Sequence, residues 1–318
     1  MSRVAFAAAH VAAGPDGEID WEGTLTFRRH LWEQGLGVAE AMDTAQRGMG
    51  LDWPAARELI SRTAAEGGGR LAAGAATDHA QPATLDEVRA AYEHQCEFVE
   101  GTGAQVVVMA SRALAALASG PADYREVYGA VLRQLERPAI LHWLGDMFDP
   151  ALAGYWGSTD LDEAAETVLS IVADHAGKID GIKVSLLDAQ REIDLRERLP
   201  EGVRMYTGDD FNYPELIASG SDALLGVFDA IAPAAAAALR ALDAGDRAEY
   251  DRILEPTVPL ARKLFEPPTY NYKTGIVYLA WRNGHQQHFK MLGGMETARS
   301  PEHLAEVAAL AERAGLLA

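Results

Sequence analysis

Eight short apolar runs, each followed by residues with the spacing of an amphipathic helix, recur along the chain as far as residue 228. That alternation is the pattern of repeated βα units around a parallel sheet. The runs fall at 4–9, 37–42, 71–77, 105–110, 139–144, 179–186, 204–207 and 223–228, with helical stretches such as 53–66, 85–100, 123–136 and 161–175 between them. In the stretch 85–100, Val88, Ala91, Tyr92, Gln95, Phe98 and Val99 share one face, the three-and-four spacing of a packed helix. Eight strands suit a closed (β/α)8 TIM barrel better than an open doubly wound sheet, and 318 residues suit one such barrel with additions.

After the eighth run the alternation stops, and helical patterns follow at 233–243, 248–265, 270–281 and 301–315. Pro267 and Pro268 break two of them apart, since proline cannot continue a helix and restricts the residue before it. The alanine run 234–238 reads as packed helix with Leu239 and Leu242. The expected organisation is an α/β barrel over 1–232 with a C-terminal helical extension over 233–318, packed on it as a single unit.

Hydrophobic residues make up 48% of the chain and charged ones 24%, so a large core can form. The net charge of −19 argues against nucleic acid or a membrane surface as partners, because both select clustered Lys and Arg. With one cysteine, Cys96, no intramolecular disulfide can form. No secretory leader pattern and no 18-residue apolar run is read, and a cytoplasmic location is the expectation. Cys96 lies in a helical stretch, where a core thiol is expected. Glycines 67–69, Gly101 and Gly103 precede strands instead of following them, contrary to a dinucleotide loop, so they are read as helix caps and no cofactor is expected.

Barrel enzymes gather their chemistry at the C-terminal ends of the strands. The residues there are His10; Asp43 and Thr44; Asp78 and His79; Ser111 and Arg112; His142; Lys183 and Ser185; Asp209 and Asp210; and Asp229. Lys183 stands out. The chain has five lysines, at 178, 183, 263, 273 and 290, against 23 arginines, and of these only Lys183 lies within a strand run. A parallel strand is buried on both faces, so an ammonium there loses hydration, its pKa falls, and the neutral amine can attack a ketone to form an imine. The alternative is a buried lysine in a salt bridge with Asp209 or Glu40. Glu40, a carboxylate inside an apolar run, is read either as a partner of Lys183 or of a substrate hydroxyl, or as a residue facing the helix layer. A rival reading builds a divalent metal site from His10, Asp43, His79, His142 and Asp209, without any fixed short spacing to support it.

The order of features resembles the dihydrodipicolinate synthase and N-acetylneuraminate lyase superfamily of class I aldolases. The resemblance rests on Gly181 to Lys183 as the strand-six segment, Thr207 to Asp210 as the strand-seven turn, and Leu225 to Pro233 as strand eight entering its helix. Residues 242–247, leading into a helix ending near Leu264, are similar to the family's extra helices. It spans roughly 4–296 with short motifs. It implies Schiff-base chemistry at Lys183, acting on a small carbonyl compound, and assembly as a homodimer or homotetramer.

Two departures set the chain apart as a divergent branch. The family's loop that binds a keto-acid carboxylate falls on residues 43–47, where only Thr44 survives; Asp43 would repel a carboxylate and Arg47 would offset it. The family's strand-five tyrosine is replaced by His142, which can move protons near neutral pH. The loop 145–160, carrying Phe148, Tyr155 and Trp156, is long enough to be a lid or pocket wall.

The leading expectation is a lyase, aldolase or dehydratase working through an imine on a keto acid, keto-sugar or sugar-acid derivative. Lys183, His142 and Thr44 are its catalytic residues. Glu40, Asp43, Arg47, Ser185, Asp209, Asp210, His10 and His79 are its substrate contacts, and it holds no metal. The alternatives are a metal-dependent sugar isomerase or hydrolase on the same barrel, and a non-catalytic barrel that binds a ligand.

Overall fold

A computed structural model describes residues 3–317. Eight parallel strands close in sequence order into a barrel, each paired with the next and the last with the first. They are β1 (Ala5–Ala8), β2 (Gly37–Glu40), β3 (Leu71–Ala75), β4 (Gln105–Val108), β5 (Ala139–Leu144), β6 (Ile179–Ser185), β7 (Arg204–Thr207) and β8 (Asp222–Leu225). The (β/α)8 fold is the one expected from the strand count.

Alternation along each strand separates two cores. Phe6, Ala8, Ala39, Ala72, Val107, Ile140, Tyr206 and Leu224 fill the barrel interior. Their neighbours, among them Val38, Val106, Leu141, Ile182 and Val184, pack outward against the helices. On β6 this parity turns Lys183 inward with Gly181 and Ser185, because Ile182 and Val184 are committed to the outer layer.

The helices carry their own start signals. The side chains of Asp20, Asp52, Thr84 and Asp160 accept backbone N–H groups at the heads of the helices Trp21–Glu33, Trp53–Glu66, Leu85–Gly101 and Leu161–Asp174. Two expected elements come out differently. The eighth run, read as strand to residue 228, is strand only to Leu225; the Asp210 carboxylate accepts the Val227 N–H at 2.8 Å and Val227–Ala230 turns helical. The segment read as one helix over 248–265 divides into Arg247–Leu254 and Val258–Leu264 around a short 3-10 turn, because Pro256 and Pro259 interrupt it.

The helices beyond β8 share one hydrophobic core with the barrel, through Leu254, Leu260, Leu264, Phe265 and Ile276 among others. One of them, Tyr272–Arg282, brings its first residue over the C-terminal mouth of the barrel, where Tyr272 stacks on Phe265 with centroids 4.2 Å apart.

Candidate active site

Register sets the centre of the site. His142 on β5 lies beside Lys183 on β6, and Tyr206 on β7 flanks it on the other side. Lys183 is 6% exposed. Burial pulls its ammonium below the usual lysine value, and the charges of Asp43 and Asp210 oppose that shift. His142 is fully buried; burial, and then the nearby charge of Lys183, hold it well below the usual imidazole value, so it is neutral at neutral pH. Its Nε2 lies 3.3 Å from Ser185 Oγ, and its Nδ1 has no partner among the described residues.

Asp210 reaches the same place from the turn after β7. Burial, with a smaller push from Asp209, lifts it to about 7, against hydrogen bonds from the Val227 and Gly226 N–H groups and the charge of Lys183. It can therefore hold or release a proton near neutrality. Thr44 Oγ1 lies 2.7 Å from the Tyr272 hydroxyl. Tyr272 is held well above the usual phenol value by burial and then by Asp43, so it stays protonated and can relay a proton without losing one.

Glycine makes room for this chemistry at two positions. A Cβ on Gly208 would stand 2.2 Å from Ser185 Oγ and 2.8 Å from Lys183 Cε, and one on Gly226 would meet Tyr272, Phe265 and Thr44 at 3.0 to 3.2 Å. The space is divided. An inner chamber of about 10 Å³, room for a single small group, is bounded by Lys183, Asp210, Thr44, Tyr272 and Phe148. An outer chamber of about 380 Å³ is lined by Arg47, Ser111, Arg112, His142 and Asp149. Asp43 and Leu144 belong to both walls and stand where the two chambers adjoin.

Six of the expected residues thus come together: Lys183, His142, Thr44, Asp43, Ser185 and Asp210. Five others go elsewhere. Glu40 faces the helix layer, buried in a bidentate pair with Arg28 at 2.7 and 2.8 Å and bonded to Thr63, which is the second of its two sequence readings. Arg47 borders the outer chamber, but its guanidinium is spent on Asp78, Gln95 and the carbonyls of Ala41 and Gly74, so it has little left to offset Asp43.

Asp209 caps the backbone of Phe211 and Asn212. His10 is bonded to Asp229 at 2.8 Å and packs on Phe27. His79 bonds Gln95 and packs beside His94 and Trp53. The rival metal ligands are scattered by these placements, and among the described residues no three His, Cys, Asp or Glu side chains converge to hold an ion.

The loop after β5 is half wall and half core. Phe148, Asp149 and Leu152 line the chambers, whereas Tyr155 and Trp156 are buried among Tyr124 and Tyr128. Cys96 is buried, which holds its thiol protonated. Residues that sequence reasoning missed are Tyr272 and Gly226, and the signal of Tyr272 was weak because it comes from the extension.

Eight parallel strands closed around an inward strand-six lysine give the chain the barrel fold that dihydrodipicolinate synthases also have. The chain is 29% identical over 243 residues, 68% of this chain and 77% of the other, to 4-hydroxy-tetrahydrodipicolinate synthase from Azoarcus sp. (strain BH72). The chain belongs to the family described as "Protein of unknown function (DUF993)", matched over residues 1–318.

Among solved structures, dihydrodipicolinate synthase from Thermotoga maritima superposes with a TM-score of 0.78 at 17% identity, covering 99% of each chain. A dihydrodipicolinate synthase variant described as the first monomeric one superposes at 0.79 with 16% identity, covering 99% of this chain and 97% of that one. The fold therefore does not by itself dictate an oligomer. No described helix is long and apolar enough to cross a membrane.

Proposed function

We propose that the protein is a Schiff-base-forming lyase of the class I aldolase kind, acting on a keto acid, keto-sugar or sugar-acid derivative. One observation carries the reading: Lys183 is a buried amine at the floor of a chamber, with proton-carrying groups on both sides and no oxygen partner among the described residues. In that setting the amine is more often neutral than a solvated lysine and can attack a carbonyl carbon.

Attack forms a carbinolamine, a proton is delivered to its hydroxyl, and water leaves as the C=N bond forms. Asp210, which carries its proton up to about pH 7, suits the delivery. Neutral His142 suits removal of a proton either from a hydroxyl on the β-carbon, whereupon the Cα–Cβ bond breaks to an aldehyde and an enamine, or from the α-carbon itself, which gives the enamine that expels a β-hydroxyl as water. Thr44 and Tyr272 form a hydroxyl pair that substitutes for the strand-five tyrosine whose place His142 has taken.

The test is borohydride reduction with a panel of ketones followed by peptide mass mapping. The expected product is a secondary amine on Lys183 and no adduct in Lys183→Ala. Absence of an adduct across acidic and neutral ketones would overturn the proposal.

A further inference from the structure

Of the five lysines, three donate to oxygens: Lys178 to the Leu135 carbonyl, Lys263 to Glu266 and Glu306, and Lys290 to Glu296. Neither Lys183 nor Lys273 does so among the described residues. Lys273 follows Tyr272 at the head of the helix over the barrel mouth and is only 3% exposed. Its Nζ has Met49 Sδ at 3.3 Å and lies 5.5 Å from the Tyr272 ring centre. A thioether is a weak acceptor, and an ammonium has three donors. A buried ammonium left this way is costly, which points to an oxygen that the protein itself does not supply.

Its neighbours locate it: Lys273 follows Tyr272, which lines the inner chamber, and its contact Met49 follows Gly48, which lines the outer one. Burial lowers Lys273 to about 8, Asp43 and Asp149 raise it, and Arg112 lowers it. All three of those residues line the outer chamber, and Asp43 lines the inner one as well. Met49 belongs to the segment after β2, next to the positions 43–47 where a carboxylate-binding loop was expected. Arg47, the cation that sequence suggested for this task, is saturated by its own neighbours, and Arg112 is paired with Asp149 at 2.6 Å.

We infer that Lys273 is a substrate-binding residue of the Lys183 site, and that it takes a carboxylate of the ketone substrate in place of the missing loop. The inference rests on the imine reading above. It gives the extension helix a role in choosing the substrate: the anion bridges to Lys273 while the carbonyl meets Lys183. A structural lysine held only by Met49 and the Tyr272 ring would show no such selectivity.

The experiment compares reductive trapping at Lys183 by pyruvate, acetoacetate and levulinate, whose carboxylates stand progressively farther from the carbonyl, with trapping by neutral hydroxyacetone. The expected result is that at least one acid is trapped about 10-fold faster than hydroxyacetone, the size of one charge-assisted hydrogen bond. Read as the ratio of acid to hydroxyacetone trapping within each variant, Lys273→Met removes that advantage and Lys273→Arg keeps part of it. No acid advantage in the native protein, an advantage that survives Lys273→Met, or a parallel loss for acids and hydroxyacetone overturns the inference.

If no ketone is trapped at all, the imine reading fails, and Lys273 is then read directly by acetic anhydride labelling of the native protein. Slower acylation of Lys273 with the acids present and not with hydroxyacetone supports the carboxylate site. Equal or absent protection overturns it.

Discussion

Replacing Gly208 with alanine puts a methyl group where the Lys183 side chain crosses the turn after β7. The new carbon would stand 2.2 Å from Ser185 Oγ, 2.8 Å from Lys183 Cε and 2.8 Å from the Val184 carbonyl oxygen, against a practical minimum of 3.0 Å. Ser185 Oγ must retreat by about 0.8 Å, and the backbone oxygen has least freedom to yield, so most of the movement passes to the side chains of Ser185 and Lys183. Ser185 is also the contact of His142 Nε2, so the two groups on which the proposed reaction relies are displaced together.

Misplacing reacting groups by about 1 Å costs on the order of 100-fold in rate, and inserting a methyl into a packed site costs about 1–3 kcal/mol in stability. The assay is the rate of borohydride-trapped adduct at Lys183 beside the thermal midpoint. Gly177→Ala serves as a control, because a Cβ there meets nothing within 4 Å. Trapping by Gly208→Ala within twofold of the native rate, with the control unchanged, refutes the claim that the turn holds the amine in its working position.

Other expectations concern stability. Burial raises Glu192 to about 7 from an ordinary value of 4.5, so the folded state holds its proton more tightly than the unfolded one. Its contribution is complete below about pH 4.5 and is lost as pH rises through about 7, on the order of 3 kcal/mol at most. Glu192→Gln, which keeps an acceptor for the Ser221 hydroxyl, should flatten the fall in melting temperature between pH 5 and 8; an unchanged slope counts against a raised Glu192. Arg28→Met strands the Glu40 carboxylate in the helix layer and should cost about 3–5 kcal/mol in denaturant unfolding, with most of it recovered by adding Glu40→Leu. The folded double variant should still trap ketones at Lys183, and failure to do so would revive a catalytic role for Glu40.

The barrel was readable because eight apolar runs leave a parallel sheet few ways to close, and Lys183 was readable because it breaks such a run. Direction was harder to read. Position at a strand end fixes height along the barrel axis but not whether a side chain turns inward, so His10 and His79 looked equivalent to His142 and are not. Glu40 shows what parity alone could have supplied: it shares a face with Val38, which packs outward, and not with Ala39, which fills the interior. Asp209 and Asp210 are neighbours in sequence, yet one caps the next turn and the other faces the amine. Tyr272 and Lys273 were read only as helix, since nothing local says which barrel mouth that helix will cover.

That placement of Tyr272 has a consequence for how the chain is made. During synthesis all eight strands, Lys183 among them, precede the segment that roofs the inner chamber. Until residues 265–272 leave the ribosome and dock, the chamber of the amine lacks the wall made by Tyr272, which stacks on Phe265. The closed chamber around Lys183 is therefore assembled last, so a chain cut short after β8 would leave that lysine open and hydrated.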